Sequence, residues 1–151
     1  MAGSSVSPKA SAQNKSSPVD KPIKLGGADM GDYPGYDGEH QVRGHVDVGP
    51  FPASPGQFHL QWRLDGADKL CDGTAKPEVK NACGLHIHKG LTCSDSNLVG
   101  GHFFDPSKHA ADPWANFTYS ATSSGSSEGS GNIMIYQFGL GQCDKPCFGI
   151  A

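Results

Sequence analysis

Residues 84–90 read GLHIHKG, with two histidines two positions apart, an isoleucine between them and glycine at both ends. On a β-strand, alternate residues project to the same side about 6.5–7 Å apart along the chain. His86 and His88 would therefore project in parallel while Ile87 turns into the core. Two neutral imidazoles on a rigid backbone, anchored from behind by an apolar side chain, form a good half-site for a transition metal, and imidazole suits copper and zinc. His102 follows fourteen residues after His88 within GGHFFDPSKH (100–109), which ends on His109 as a further candidate ligand. Cys93 lies between the two histidine segments and could pin the connecting loop.

The elements that must hold these residues read as β-structure. VRGHVDV (42–48) alternates, with Val42, Gly44, Val46 and Val48 on one face. FHLQWRL (58–64) sends Phe58, Leu60, Trp62 and Leu64 inward and His59, Gln61 and Arg63 outward. LHIH (85–88), FTYSA (117–121) and NIMIYQF (132–138) are the further strands expected, with TSSGSSEGSGN as a Ser/Gly loop before the last. Helical periodicity is absent over any useful length. Short strands separated by Gly/Pro turns point to an all-β antiparallel sandwich or barrel. Residues 1–25 read as a disordered or partner-bound arm, since the Ser-, Lys- and Pro-rich segment buries too little to offset its ordering entropy. Residues 26–41 read as an irregular, turn-rich lead-in, and 42–151 as the folded domain.

The composition narrows the function classes. With 21 Gly, 11 Pro and 36% apolar residues, the chain has many turns and a modest core. A net charge of −3 leaves no basic face for nucleic acid, and no apolar run is long enough for a membrane-spanning helix. The five cysteines include no C-x-x-C pair, so disulfides are a better reading than a zinc ribbon. Disulfides favour an oxidising compartment, secreted or within an organelle lumen. Asn116-Phe117-Thr118 fits an N-glycosylation sequon, a triplet that also arises by chance. His40, His45 and His59 read as solvated or structural.

The string CGLHIHKGLTC…GGHFFDPSKHAADPW (83–114) resembles the copper/zinc superoxide dismutase family, closest to its copper-only and repeat-type domains. The motif carried is G-x-H-x-H, a loop cysteine, then G-G-H-F, and the closing CFGIA (147–151) is similar to that family's C-terminus. The resemblance spans roughly 42–151 and is specific over 83–114. It implies a Greek-key antiparallel β-barrel of about eight strands, with a strand missing or shortened near the C-terminus. It implies copper held by His86, His88 and His102, with zinc less expected. It also implies a Cys93–Cys147 bridge from the site loop to the last strand, a Cys71–Cys83 bridge closing the insertion before the metal strand, and Cys143 left over.

Departures from the pattern divide the functional reading. No histidine follows His109, so the family's fourth copper ligand has no counterpart, and Asp144 stands where the family places a substrate-guiding arginine. Lys89 and Lys145 are the nearby cations. The zinc subsite is one histidine short, and Asp112 before Pro113 reads equally as a turn former or a ligand. Three functions remain: a copper-binding domain that consumes superoxide at a three-histidine site, a catalytically inactive structural or interaction subunit that engages protein partners through its arm, or, third, a metal-binding or copper-delivery domain without turnover. No residue is assigned a catalytic role beyond metal ligation.

Overall fold

The computed structural model describes residues 26–31, 33–51, 53–76, 78–79, 81–90, 92–136 and the backbone of 147–150. The expectations for the arm at 1–25, for a lost strand after 136, for Cys143, Asp144 and Lys145, and for the Cys147 side chain fall outside the described residues.

The structure is all-β and antiparallel. Strands β1 (Gly26–Met30), β2 (Arg43–Pro50), β3 (Gln57–Asp65) and β5 (Ser127–Met134) form one sheet in the order β1-β2-β3-β5. Strands β4 (Leu85–His88) and β6 (Cys147–Ile150) form a separate two-stranded sheet. The four-stranded sheet is open at β1 and β5 rather than closed on itself. The only helical pieces among the described residues are one turn of α-helix, α1 (Ser96–Val99), and a 3₁₀ turn at Pro113–Asn116.

Alternation dictates the core. Phe58, Leu60, Trp62 and Leu64 on β3 are all buried, as are Val46 and Val48 on β2. Leu85 and Ile87 of β4 join the same cluster from the other sheet, so the two sheets share one core. The opposite face of the large sheet carries a row of charge across all four strands. Asp29, His45, Arg63 and Glu128 are successive register partners. The His45 imidazole lies 2.8 Å from Asp29 and 3.0 Å from Asp47, and Arg63 donates to Glu128 at 3.0 Å. The Asp29 and then the Asp47 carboxylate hold the His45 pKa above its ordinary value. Exposed pairs of this kind add little stability, but a one-residue slip would turn them into the core, so they help to fix register. His59 is also structural, with Nδ1 2.8 Å from Oδ1 of its cross-strand partner Asn132.

Three segments differ from the sequence reading. Residues 26–30, expected to be irregular, form edge strand β1, because their partner β2 supplies a ladder from Gly26–Val48 to Met30–Gly44. The fifth strand begins at Ser127, inside the expected Ser/Gly loop, and ends at Met134. Its small residues are needed for space: a Cβ on Gly129 would sit 2.6 Å from the Trp62 ring, and Ser127 Oγ accepts from Trp62 Nε1 at 3.1 Å. FTYSA makes no regular strand. Thr118 bridges to Gly84 and Ser120 to Asp72, and pairing with two different segments allows isolated bridges rather than a ladder.

The expected Cys71–Cys83 disulfide is present, with Cα atoms 5.5 Å apart. It ends immediately before the histidine strand, and Cys83 itself holds a φ of 58°, a costly conformation for a side-chain-bearing residue. The bridge joins residues separated by 12 positions. Replacing both cysteines with alanine is therefore expected to cost about 3 kcal/mol by the chain-entropy model. A shift of the urea midpoint at unchanged slope is the measurement that checks this.

Candidate metal centre

Register brings the three sequence-predicted histidines together. His86 and His88 share a face of β4 by the two-residue period. His102 reaches the same face because it forms an antiparallel bridge with His88, and directly opposed residues on such a bridge project to one side. That bridge is fixed on either side by Lys89 N–H donating to Gly101 O at 2.9 Å and Phe103 N–H donating to Ile87 O at 2.7 Å. One nitrogen from each of His86, His88 and His102 lies within 4.8 Å of the others. Copper or zinc bonds to imidazole of about 2.0–2.1 Å place donors at most roughly 4 Å apart, so a small movement of the rings closes the set. The His86 and His102 ring centroids are already 4.3 Å apart, and those of His88 and His102 5.1 Å.

Neighbouring groups decide which nitrogen each ring offers. His88 Nδ1–H donates to the Gly100 carbonyl at 2.9 Å, which leaves Nε2 with its lone pair free. Gly100 can present that carbonyl because its backbone sits at φ 70°, ψ −177°, a region open essentially to glycine alone. His102 Nδ1 lies 2.6 Å from Asp112 Oδ2, so the carboxylate accepts its proton and Nε2 again faces away. Such outer partners fix tautomer and orientation in metal sites. Asp112 also caps the 3₁₀ turn, its Oδ1 accepting from Trp114 N–H at 2.9 Å. The sequence reading weighed turn former against ligand for this residue; it forms the turn and orients a candidate ligand.

The floor is apolar. Trp114 is fully buried, meets His86 edge-on at 6.3 Å and donates through Nε1 to Phe103 O at 2.9 Å. His86 leans back over Gly84, where a Cβ would lie 2.1 Å from its Nε2. His86 is 2% exposed and its buried Nε2 has no hydrogen-bond partner, and the His102 side chain is 8% exposed. His109 Nε2, outside the cluster, is likewise buried without a partner, so the fit to a metal rests on the convergence of three imidazoles, two of them pre-oriented. Burial, and then repulsion from His102 and His88, pushes the His86 pKa from 6.5 down to about 3, and burial also lowers that of His88. Both rings therefore stay neutral, as ligation requires.

The sign of the pH dependence follows. Unfolded, His86 takes up a proton near 6.5; folded, it resists until about 3. Between those values the unfolded state binds more protons, so acidification destabilises the metal-free protein. The expected slope from this one group approaches about 1.4 kcal/mol per pH unit. Denaturant unfolding of the chelated protein across that window, compared with His86→Ala, should show the slope shrinking by about one proton in the variant.

His109 is not in the cluster. It sits between Phe104 and Tyr136, with ring centroids 5.8 and 5.3 Å away. Cys93 is disulfide-bonded, as expected for a pinned loop, while the expected partner Cys147 lies beyond the described side chains. The roles of Gly100 and Trp114, and the pairing of Asp112 with His102, were not legible beforehand. Only the Asp-Pro-Trp turn signal at 112–114 marked any of them. The chain matches no family model, no curated protein and no solved structure.

Proposed function

We propose that the chain is a copper-binding, superoxide dismutase-like domain whose three-histidine site consumes superoxide, on a Greek-key scaffold housed in a secreted or organelle-lumen compartment. The observation that carries the reading is the convergence of His86, His88 and His102 nitrogens within 4.8 Å, two of them with their remaining nitrogen already tied to an acceptor. An all-imidazole donor set suits copper or zinc, and the resemblance over residues 83–114 favours copper. Copper held there would supply one-electron cycling, taking an electron from one superoxide and returning it to a second with two protons.

The chain's own residues then have separable tasks. His86, His88 and His102 hold the ion. Gly100 and Asp112 keep His88 and His102 in the tautomer that leaves Nε2 free. Trp114, buried against His86, excludes water from behind the site. His88, half-buried, marks the side from which a small anion enters. Lys89 is the adjacent cation, its Nζ 5.5 Å from the Phe104 ring centre.

A second reading has its own support. The metal set among the described residues contains three imidazoles and no fourth. A domain that kept its scaffold without turnover would serve as a structural or interaction subunit. One experiment separates the two: load the protein with copper, measure metal content, and assay superoxide consumption beside His86→Ala/His88→Ala. The enzyme reading requires near-stoichiometric copper and turnover lost in the variant. Copper without turnover assigns a binding domain. Neither copper nor turnover leaves the scaffold reading.

A further inference from the structure

The segment before β2 carries two tyrosines, and the structure uses them differently. Tyr33-Pro34-Gly35-Tyr36 is a tight turn, with Tyr36 N–H donating to Tyr33 O at 2.9 Å and Gly35 at φ 81°. Proline then glycine at the two central positions is the type II pattern, which leaves little conformational freedom to the flanking residues. Tyr36 is consumed locally. Its ring folds over Gly38, and its hydroxyl accepts from His40 N–H at 3.2 Å. The Tyr33 hydroxyl makes no hydrogen bond among the described residues. The Tyr33 ring instead stands 6.3 Å from that of His88, tilted by 53°, and the residue remains 37% exposed. His88 is the least buried of the three candidate ligands, so Tyr33 stands on the open side of the site.

We propose that Tyr33 is a specificity-determining guard of the three-histidine site, admitting small anions and impeding bulky chelating ligands. The inference rests on the metal reading above and adds to it a residue outside the ligand set and outside the folded region expected from sequence. An aromatic ring held by a rigid turn blocks approach without any hydrogen bond, so its bulk carries the effect and the hydroxyl does not. The surroundings of a metal set solvent access in this way.

The test uses the full chain loaded with copper(II), as wild type, Tyr33→Phe, Tyr33→Ala and Tyr33→Trp. Copper loss to excess EDTA is followed by stopped-flow absorbance, and azide is titrated in parallel as a small anion. Release is expected to be about fivefold or more faster in Tyr33→Ala, unchanged in Tyr33→Phe and slower in Tyr33→Trp, with azide affinity within about twofold throughout. Release rates that ignore ring size overturn the guard role while leaving the metal reading intact. A Tyr33→Phe variant that behaves as Tyr33→Ala also overturns it, because the hydroxyl would then carry the effect. A wild-type chain that takes up no copper removes both. The two tyrosine-to-larger and tyrosine-to-smaller changes act in opposite directions, so a general loss of fold cannot imitate the expected pattern.

Discussion

Replacing Trp114 with alanine is expected to destabilise the protein by about 3–5 kcal/mol, the range for truncating a large buried aromatic. Trp114 is fully buried and touches both His86 and Phe117, with ring centroids 6.3 and 5.8 Å away. Its indole N–H also holds the Phe103 carbonyl, and Phe103 is the residue whose own N–H ties the His102 segment to β4. Removing the indole therefore opens a cavity under one ligand and loosens the register that delivers another. Chemical denaturation of the metal-free variant measures the first effect, and copper affinity by chelator competition measures the second. Trp114→Phe should recover part of the stability, because it refills most of the volume but leaves the Phe103 carbonyl without its donor.

Asp112 separates capping from ligand orientation. Asn at this position keeps a good cap for the turn, since its side-chain oxygen still accepts from Trp114 N–H. Its amide then offers a donor toward His102 Nδ1 in place of the carboxylate that lies 2.6 Å away. The imidazole must answer by accepting at Nδ1, which moves its proton to Nε2 and removes the lone pair a metal needs. Asp112→Asn is therefore expected to lower copper affinity by about 10–100-fold while leaving the apo protein's stability nearly unchanged. Asp112→Ala should lose comparable affinity and in addition about 1 kcal/mol of stability through the missing cap. Competition against a chelator, run beside thermal melts of the metal-free forms, distinguishes the pair. Equal affinity in wild type and Asp112→Asn would mean that the carboxylate orients nothing.

Some features were open to reading from composition and spacing because they depend on neighbours along the chain. The two-residue period alone put His86 and His88 on one side and Ile87 in the core, where it is fully buried. The same period assigned every inward residue of β3 correctly. Strand β5 was misplaced because its glycines and serines look like loop when taken by themselves. Only the Trp62 ring above them explains why a larger residue would not fit. Edge strand β1 was missed for a related reason: GGADM has no β-propensity of its own, and its ladder comes from β2.

What the chain's order of residues determined by itself is the histidine pair, its flanking glycines and the face it occupies, since backbone geometry over three residues suffices for these. Tertiary structure brings His102 to them, as the resemblance implied, and leaves the other candidate, His109, outside the cluster. That choice depends on one antiparallel bridge between His88 and His102 and on a carboxylate ten residues from His102. It also decided that the turn-rich lead-in sets Tyr33 beside the site. Side-chain convergence between segments is a property of register and packing, which arise only when separate strands compete for one core and one set of hydrogen bonds.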